Sequence, residues 1–225
     1  MSKKMTGSDV NISHLRELAL TAGKVMRRNF KLGMTHEWKG DETLITDTDK
    51  KINQLVIKRI NNLFGDNVRV IGEEGHGAET DATWTVVFDP VDGTTGFSKG
   101  IPVFCFCICL QHLGQPKLAC IYDPMLDRLY TAEKNRGAWM NGEKLSVSKR
   151  DSLPRAHIGV ALWKGCAFDM SEIRDTLTSI GAKTLEPISI GYYGALVAAG
   201  ELDATIFPAG TPWETGAIKL LVEEA

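Results

Sequence analysis

Asp89 and Asp92 stand three residues apart at the end of an apolar, β-branched run, Trp84-Thr-Val-Val-Phe-Asp89-Pro-Val-Asp92-Gly-Thr-Thr95. Two carboxylates held this close repel one another. A divalent cation is the simplest relief of that repulsion. The Pro/Gly turn then opens into Thr94-Thr95, a helix start whose free backbone N–H groups suit an anion such as phosphate. Cation ligands beside a phosphate cradle point to metal-assisted phosphoryl chemistry.

Three more acids are candidates to join the pair, and each has a purely structural reading as well. Asp49 follows Thr46 by three residues ahead of an apolar helix, the pattern of a capping box. Glu73-Glu74 occupy a glycine-flanked turn, where solvated charge is common. Thr211-Pro212-Trp213-Glu214 carries a Thr cap, a Pro in the first turn and a Glu three residues on. A Glu bonded back to its own cap is not free to hold a metal. A β-branched strand ending on two acids is poorly explained by turns, so Asp89 and Asp92 favour the metal reading on their own. Other templates fail. The chain has no H-E-x-x-H, no G-x-S-x-G elbow and no G-x-x-x-x-G-K-[ST] loop, and its five histidines are scattered. It also lacks the D-x-D-x-D-G loop of a Ca²⁺ module.

The elements that must position these acids follow from periodicity. Ile12, Leu15, Ala19, Ala22, Met26 and Phe30 recur at helical spacing. A polar stretch from His36 to Glu42, holding Trp38 and Lys39, reads as a hairpin or mobile loop. Thr46 opens a second helix whose apolar face is Ile52, Leu55, Val56, Ile60 and Leu63, closed by Gly65. Val68 to Ile71 is a short strand before the Glu73 turn, and Thr83 to Phe88 is the strand carrying the acid pair. Val103–His112, Lys117–Tyr122, Arg128–Ala132 and Gly137–Met140 then read as a strand meander. Lys149-Arg-Asp-Ser152 is a plausible boundary, dividing an α+β unit, 1–150, from a smaller α/β unit, 151–225. The second unit reads as a strand from His157, a helix from Met170, a strand near Lys183, a small-residue helix from Ser189, a strand from Asp203 and a last helix from Thr211. The whole is an α+β protein of stacked layers.

Composition excludes several classes. With 26 Lys+Arg against 28 Asp+Glu in 225 residues, no basic stripe marks nucleic acid as a partner. No apolar stretch approaches the length of a membrane span, and Met1-Ser-Lys-Lys lacks the apolar run of a secretory signal. Cys105, Cys107 and Cys109 alternate with Phe104, Phe106 and Ile108, placing three thiols on one strand face. C-x-C-x-C is not the paired spacing of a zinc site, so buried core thiols are expected. Reduced thiols fit a cytoplasmic protein.

Gly72-Glu73-Glu74, Asp89-Pro-Val-Asp92-Gly-Thr94-Thr95 and Pro212-Trp213-Glu214 resemble, in order and spacing, the three signature motifs of the inositol monophosphatase family. Ile121-Tyr-Asp-Pro-Met-Leu-Asp-Arg128 and Gly137-Ala-Trp-Met-Asn-Gly-Glu143 look familial too, so the resemblance spans nearly the whole chain. It implies a Mg²⁺-dependent, lithium-sensitive phosphate monoesterase with an α-β-α-β-α sandwich. Glu73, Asp89 and the Val91 carbonyl would hold one Mg²⁺, Asp89, Asp92 and Glu214 a second, and a third would sit near Glu73. Asp49 would polarise Thr94, and Lys39 would lie on a mobile loop near the active site. Relatives are commonly homodimers. This chain departs from the pattern at Glu214, where Asp is usual, and at Gly96, where Asn is common. It stops at Ala225, where members usually continue, so the C-terminal edge reads as truncated.

The expected reaction is direct transfer to water, without a phosphoenzyme. Asp92, Gly93, Thr94, Thr95 and Glu214 would bind the substrate, and Glu73, Thr94 and Asp49 would take the proton. The alcohol-side pocket is expected around Ser189–Tyr193 and Phe207–Thr211. Inositol-specific members bind a hydroxyl with an acid near the place of Phe207, so a small sugar or polyol phosphate substrate of broad class is expected here. Relatives acting on fructose 1,6-bisphosphate, histidinol phosphate or 3′-phosphoadenosine 5′-phosphate are alternatives. Thr95 stands where the last of these usually has Lys. A catalytically impaired relative that binds metal or phosphate is the non-enzymatic alternative.

Overall fold

The computed structural model describes residues 5–40, 43–162, 168–208 and 210–225. Residues 1–4, Asp41 and Glu42 of the expected loop, Cys166 and Ala209 lie outside the described residues.

Helix α1 (Ile12–Asn29) starts where the Asn11 side chain accepts the Ser13 N–H, and it buries Leu15, Leu18, Ala19, Ala22 and Met26. Those positions form one helical stripe. The short strands β1 (Glu37–Trp38) and β2 (Leu44–Ile45) pair antiparallel, so the polar stretch is a hairpin. Helix α2 (Asp47–Phe64) is capped by Thr46 and ends at Gly65, whose φ of 57° lies in the left-handed region. Its stripe of Ile52, Val56, Ile60 and Phe64 is fully buried.

One eight-stranded sheet follows, made of β3 (Arg69–Gly72), β4 (Gly75–His76), β5 (Trp84–Asp92), β6 (Cys105–His112), β7 (Gln115–Asp123), β8 (Arg128–Glu133), β9 (Gly137–Met140) and β10 (Glu143–Lys144). From β6 to β9 the strands form the antiparallel meander read from the sequence, and the structure extends it to β5 on one side and β10 on the other. β3 instead lies parallel to β5, and β4 pairs antiparallel at the edge. The short helix α3 (Thr94–Lys99) leaves the end of β5. A second sheet, ordered β12 (Lys183–Leu185), β11 (His157–Val160), β13 (Ala204–Ile206), is parallel throughout.

Alternation along β6 divides two cores. Phe104, Phe106 and Ile108 join α1 and α2 on one face of the large sheet. Cys105, Cys107 and Cys109 join α5 (Ile190–Ala198) and α6 (Pro212–Glu224) on the other. Each fully buried large side chain contributes about 1.5–3 kcal/mol. Helix α5 also packs on β13, and α4 (Met170–Ser179) packs on β12. The layers therefore run α1/α2, large sheet, α5/α6, small sheet, α4, which is the expected α-β-α-β-α order. No helix among the described residues is long and apolar enough to cross a membrane.

Candidate metal centre

Two parallel strands end side by side and bring the first acids together. Gly72 of β3 lies opposite Phe88 of β5, and the Glu73 N–H donates to the Phe88 carbonyl at 3.2 Å. Glu73 therefore leaves β3 where Asp89 follows on β5. The carboxyl ends of neighbouring parallel strands are a common place for a ligand site.

Asp89 and Asp92 are an odd number of residues apart, which in a regular strand sends their side chains to opposite faces. The pairing with β6 removes the conflict. Asp89 faces Cys107 and Asp92 faces Cys105, so three steps on β5 span two on β6. That is a β-bulge, and Pro90, which has no N–H to give to a ladder, falls inside it. The bulge re-aims the strand. Asp89, Asp92 and Glu214 each bring one carboxylate oxygen within 4.8 Å of the others. Glu73 is not part of that trio.

Asp89 is 2% exposed and Asp92 5%. Burial, reinforced by the charges of Glu73, Asp92 and Glu214, holds the Asp89 carboxyl well above the usual range. Burial and the Asp92 charge push Glu214 up to about 8. Burial also raises Asp92, against hydrogen bonds that lower it. Those bonds come from far along the chain. Asp92 Oδ2 accepts from Ser189 Oγ at 2.6 Å and from the Gly191 N–H at 2.6 Å, at the first turn of α5. A Cβ on Gly191 would lie 2.4 Å from Cys107 Sγ and 2.7 Å from Asp92 Oδ2, so no larger residue allows this approach. The sequence signal was there in part. The sequence starts a small-residue helix at Ser189, and Ser189 caps α5 by accepting the Tyr192 N–H at 3.2 Å. Its bond to Asp92 was not foreseen.

Glu214 follows the N-cap of α6. Its Oε2 accepts from Thr211 Oγ1 at 2.8 Å, yet the carboxylate still reaches the trio. Glu214 is thus bonded to its cap residue and is at the same time a member of the acid cluster. Asp49 is likewise double. Its Oδ2 closes the capping box with the Thr46 hydroxyl and N–H, while Oδ1 accepts from Thr94 Oγ1 at 3.1 Å. Burial, against these hydrogen bonds, pushes Asp49 up to about 6. The Thr94 hydroxyl also lies 2.9 Å from the Val91 carbonyl, and Asp89 Oδ1 accepts the Val91 N–H at 2.8 Å.

At the head of α3, Gly93 has a φ of 92°, and a Cβ there would lie 2.8 Å from Ser189 Cβ and 2.9 Å from the Val103 carbonyl oxygen. Glycine serves both the left-handed turn and the close approach. Thr94 is half-buried and Thr95 exposed beyond it.

Lys39 reaches in from the β1–β2 hairpin and donates to Glu73 Oε1 and Glu74 Oε1, each at 2.6 Å. Burial lowers the Lys39 ammonium, but the hydrogen bonds to Glu73 and Glu74 outweigh it and raise the group. Burial raises Glu74 against the hydrogen bond from Lys39. Of the residues expected on the alcohol side, Phe207 is half-buried against the second core and Tyr193 packs beside Gly159.

Three converging carboxylates, Asp89 and Asp92 buried and Glu214 partly so, all raised above their ordinary values, suit a hard divalent ion such as Mg²⁺. The described thiols fit a different role. Burial raises Cys105 to about 11 and lifts Cys109 and Cys120, so none has the depressed pKa of a nucleophile.

Comparison with known proteins places the chain among relatives. Residues 9–225 match the model of the inositol monophosphatase family. The chain is 32% identical over 199 residues to an inositol monophosphatase of Dictyostelium discoideum, covering 84% of this chain and 72% of that protein. It is 31% identical to the Nus factor SuhB of Escherichia coli (strain K12), over 92% of this chain and 79% of that one. The crystal structure of the extragenic suppressor protein suhB from Bartonella henselae has the same fold, with a TM-score of 0.85 at 24% identity, covering 94% of this chain and 83% of that one.

Proposed function

The chain belongs to the inositol monophosphatase family and is a phosphoric monoester hydrolase, and we propose that it uses Mg²⁺ to transfer the phosphoryl group of a small sugar or polyol phosphate directly to water. The observation that carries this reading is the convergence of Asp89, Asp92 and Glu214 within 4.8 Å at a bulged strand end.

Asp89, Asp92 and Glu214 would hold one ion, and Glu73, Asp89 and the Val91 carbonyl another. When bound, Mg²⁺ supplies charge neutralisation for the phosphate dianion and a lowered pKa for water. The chain's own groups do the rest. The amides of Gly93, Thr94 and Thr95 cradle the non-bridging oxygens. Thr94 Oγ1 takes a proton from the attacking water as its own passes to Asp49 Oδ1, 3.1 Å away. With Asp49 pushed up to about 6, that carboxylate is a base of near-neutral strength, suited to the task. Glu73 is a second acceptor once Lys39 leaves it. No enzyme nucleophile is needed, so no phosphoenzyme forms. On the leaving-group side, Phe207 offers no hydrogen bond from its side chain, which favours broad selectivity over an inositol-specific site.

The test is phosphate release from inositol 1-phosphate and a panel of sugar phosphates, with Mg²⁺ and then with added Li⁺. Mg²⁺-dependent, Li⁺-inhibited turnover that disappears in Asp89→Asn, with the fold intact, is expected. Turnover retained in Asp89→Asn refutes the metal assignment.

A further inference from the structure

Asp92 faces a second set of donors that phosphate chemistry does not use. Cys105 and Cys107 project from the same face of β6, with their Sγ atoms 3.6 Å apart. Cys105 Sγ lies 3.4 Å from Asp92 Oδ2 and 3.7 Å from Ser189 Oγ. Both sulfurs and an Asp92 oxygen fall within 4.8 Å of one another. Zinc binds thiolate sulfur at about 2.3 Å and carboxylate oxygen at about 2.0–2.2 Å in a tetrahedron, whose edges are then about 3.8 Å between sulfurs and about 3.5 Å from sulfur to oxygen. The sulfur–sulfur edge and the edge from Cys105 Sγ to Asp92 Oδ2, 3.6 and 3.4 Å, lie within a few tenths of an ångström of those values.

We propose that Cys105, Cys107 and Asp92 form a site for a thiophilic divalent cation of the zinc and cadmium class, with Ser189 Oγ beside Cys105. Its chemistry differs from that of the oxygen trio, because soft sulfur ligands select against Mg²⁺. Binding exchanges the two thiol protons for the ion and leaves two thiolates and one carboxylate around it. Asp92 belongs to both sets. An ion held by the sulfurs therefore competes for a carboxylate that the Mg²⁺ centre needs, and the site acts as an inhibitory one. That consequence rests on the Mg²⁺ reading above, whereas the sulfur site itself does not.

The probe is Cd²⁺ titrated into the full chain, read by its ultraviolet sulfur-to-cadmium charge-transfer band and by ¹¹³Cd NMR. One equivalent of Cd²⁺ is expected to give a two-thiolate signature that is lost in Cys107→Ala and kept in Cys109→Ala, Cys120→Ala and Cys166→Ala. No band in the wild type, or a band that survives Cys107→Ala, overturns the proposal. Should Cys107→Ala fail to fold, the wild-type ¹¹³Cd shift decides, since a shift typical of all-oxygen or single-sulfur coordination also overturns it. The spectral readout is independent of turnover, so loss of Mg²⁺-dependent phosphate release alone would count against the functional reading and not against this site.

Discussion

Lys39 Nζ stands 2.6 Å from Glu73 Oε1, so a cation from the β1–β2 hairpin rests on an acid that the proposed chemistry assigns to Mg²⁺. Lysine and metal compete for one carboxylate. Lys39→Met is expected to raise Mg²⁺ affinity in calorimetric titration and to lower the stability of the metal-free protein by about 1–3 kcal/mol, between the values for exposed and buried pairs. Weaker Mg²⁺ binding in the variant would mean that the lysine helps to build the site instead of competing for it.

Ser189 and Asp92 form the other long-range link, at 2.6 Å across 97 residues of sequence. A partner that orients a metal ligand typically contributes 10–100-fold to metal affinity. Ser189→Ala is expected to weaken Mg²⁺ binding by about that factor while the Gly191 N–H keeps Asp92 in place. An unchanged Mg²⁺ dissociation constant would make Ser189 a helix cap only.

Glu214 allows a separation of its two roles. Glu214→Gln can still accept the Thr211 hydroxyl, so the start of α6 should hold and the melting temperature should not fall. The lost charge should nevertheless weaken Mg²⁺ binding, and Glu214→Asp should keep or raise affinity. If Gln leaves both affinity and turnover intact, Glu214 serves the helix alone.

The pH dependence follows from four raised carboxyls, Asp49, Asp89, Asp92 and Glu214. A raised folded-state pKa means that the folded chain binds the proton more tightly than the unfolded one. The stability is fully present below the unfolded values and is lost as pH rises through the folded ones. With Asp49 at about 6 and Glu214 at about 8, the melting temperature in EDTA should decline between about pH 4 and pH 8. Added Mg²⁺ should reverse the decline, most strongly at the upper end. A flat or rising melting curve in EDTA over that window would contradict the electrostatics described here.

Much of this was legible in the residues because it is local. The stripe on α1, the cap at Thr46 and the alternation of Phe and Cys on β6 each follow from a short-range period, and each sits where that period puts it. The acid pair was legible as types and spacing, but its geometry was not, since a three-residue interval in a strand points the wrong way without a bulge that only the pairing with β6 reveals. The parallel pairing of β3 with β5, the Ser189 and Gly191 bonds to Asp92, and the Lys39 clasp on Glu73 and Glu74 join distant segments. No periodicity encodes those contacts. Asp49 and Glu214 each bond to a cap residue and face a neighbouring group of the site, since a carboxylate has two oxygens and enough lone pairs for both contacts.

The most direct test of the central claim is anomalous diffraction from a crystal soaked in Mn²⁺, a stand-in for Mg²⁺. The expected result is a peak bounded by carboxylate oxygens of Asp89, Asp92 and Glu214. A map with no peak among those three side chains, at Mn²⁺ concentrations that support turnover, would contradict the account.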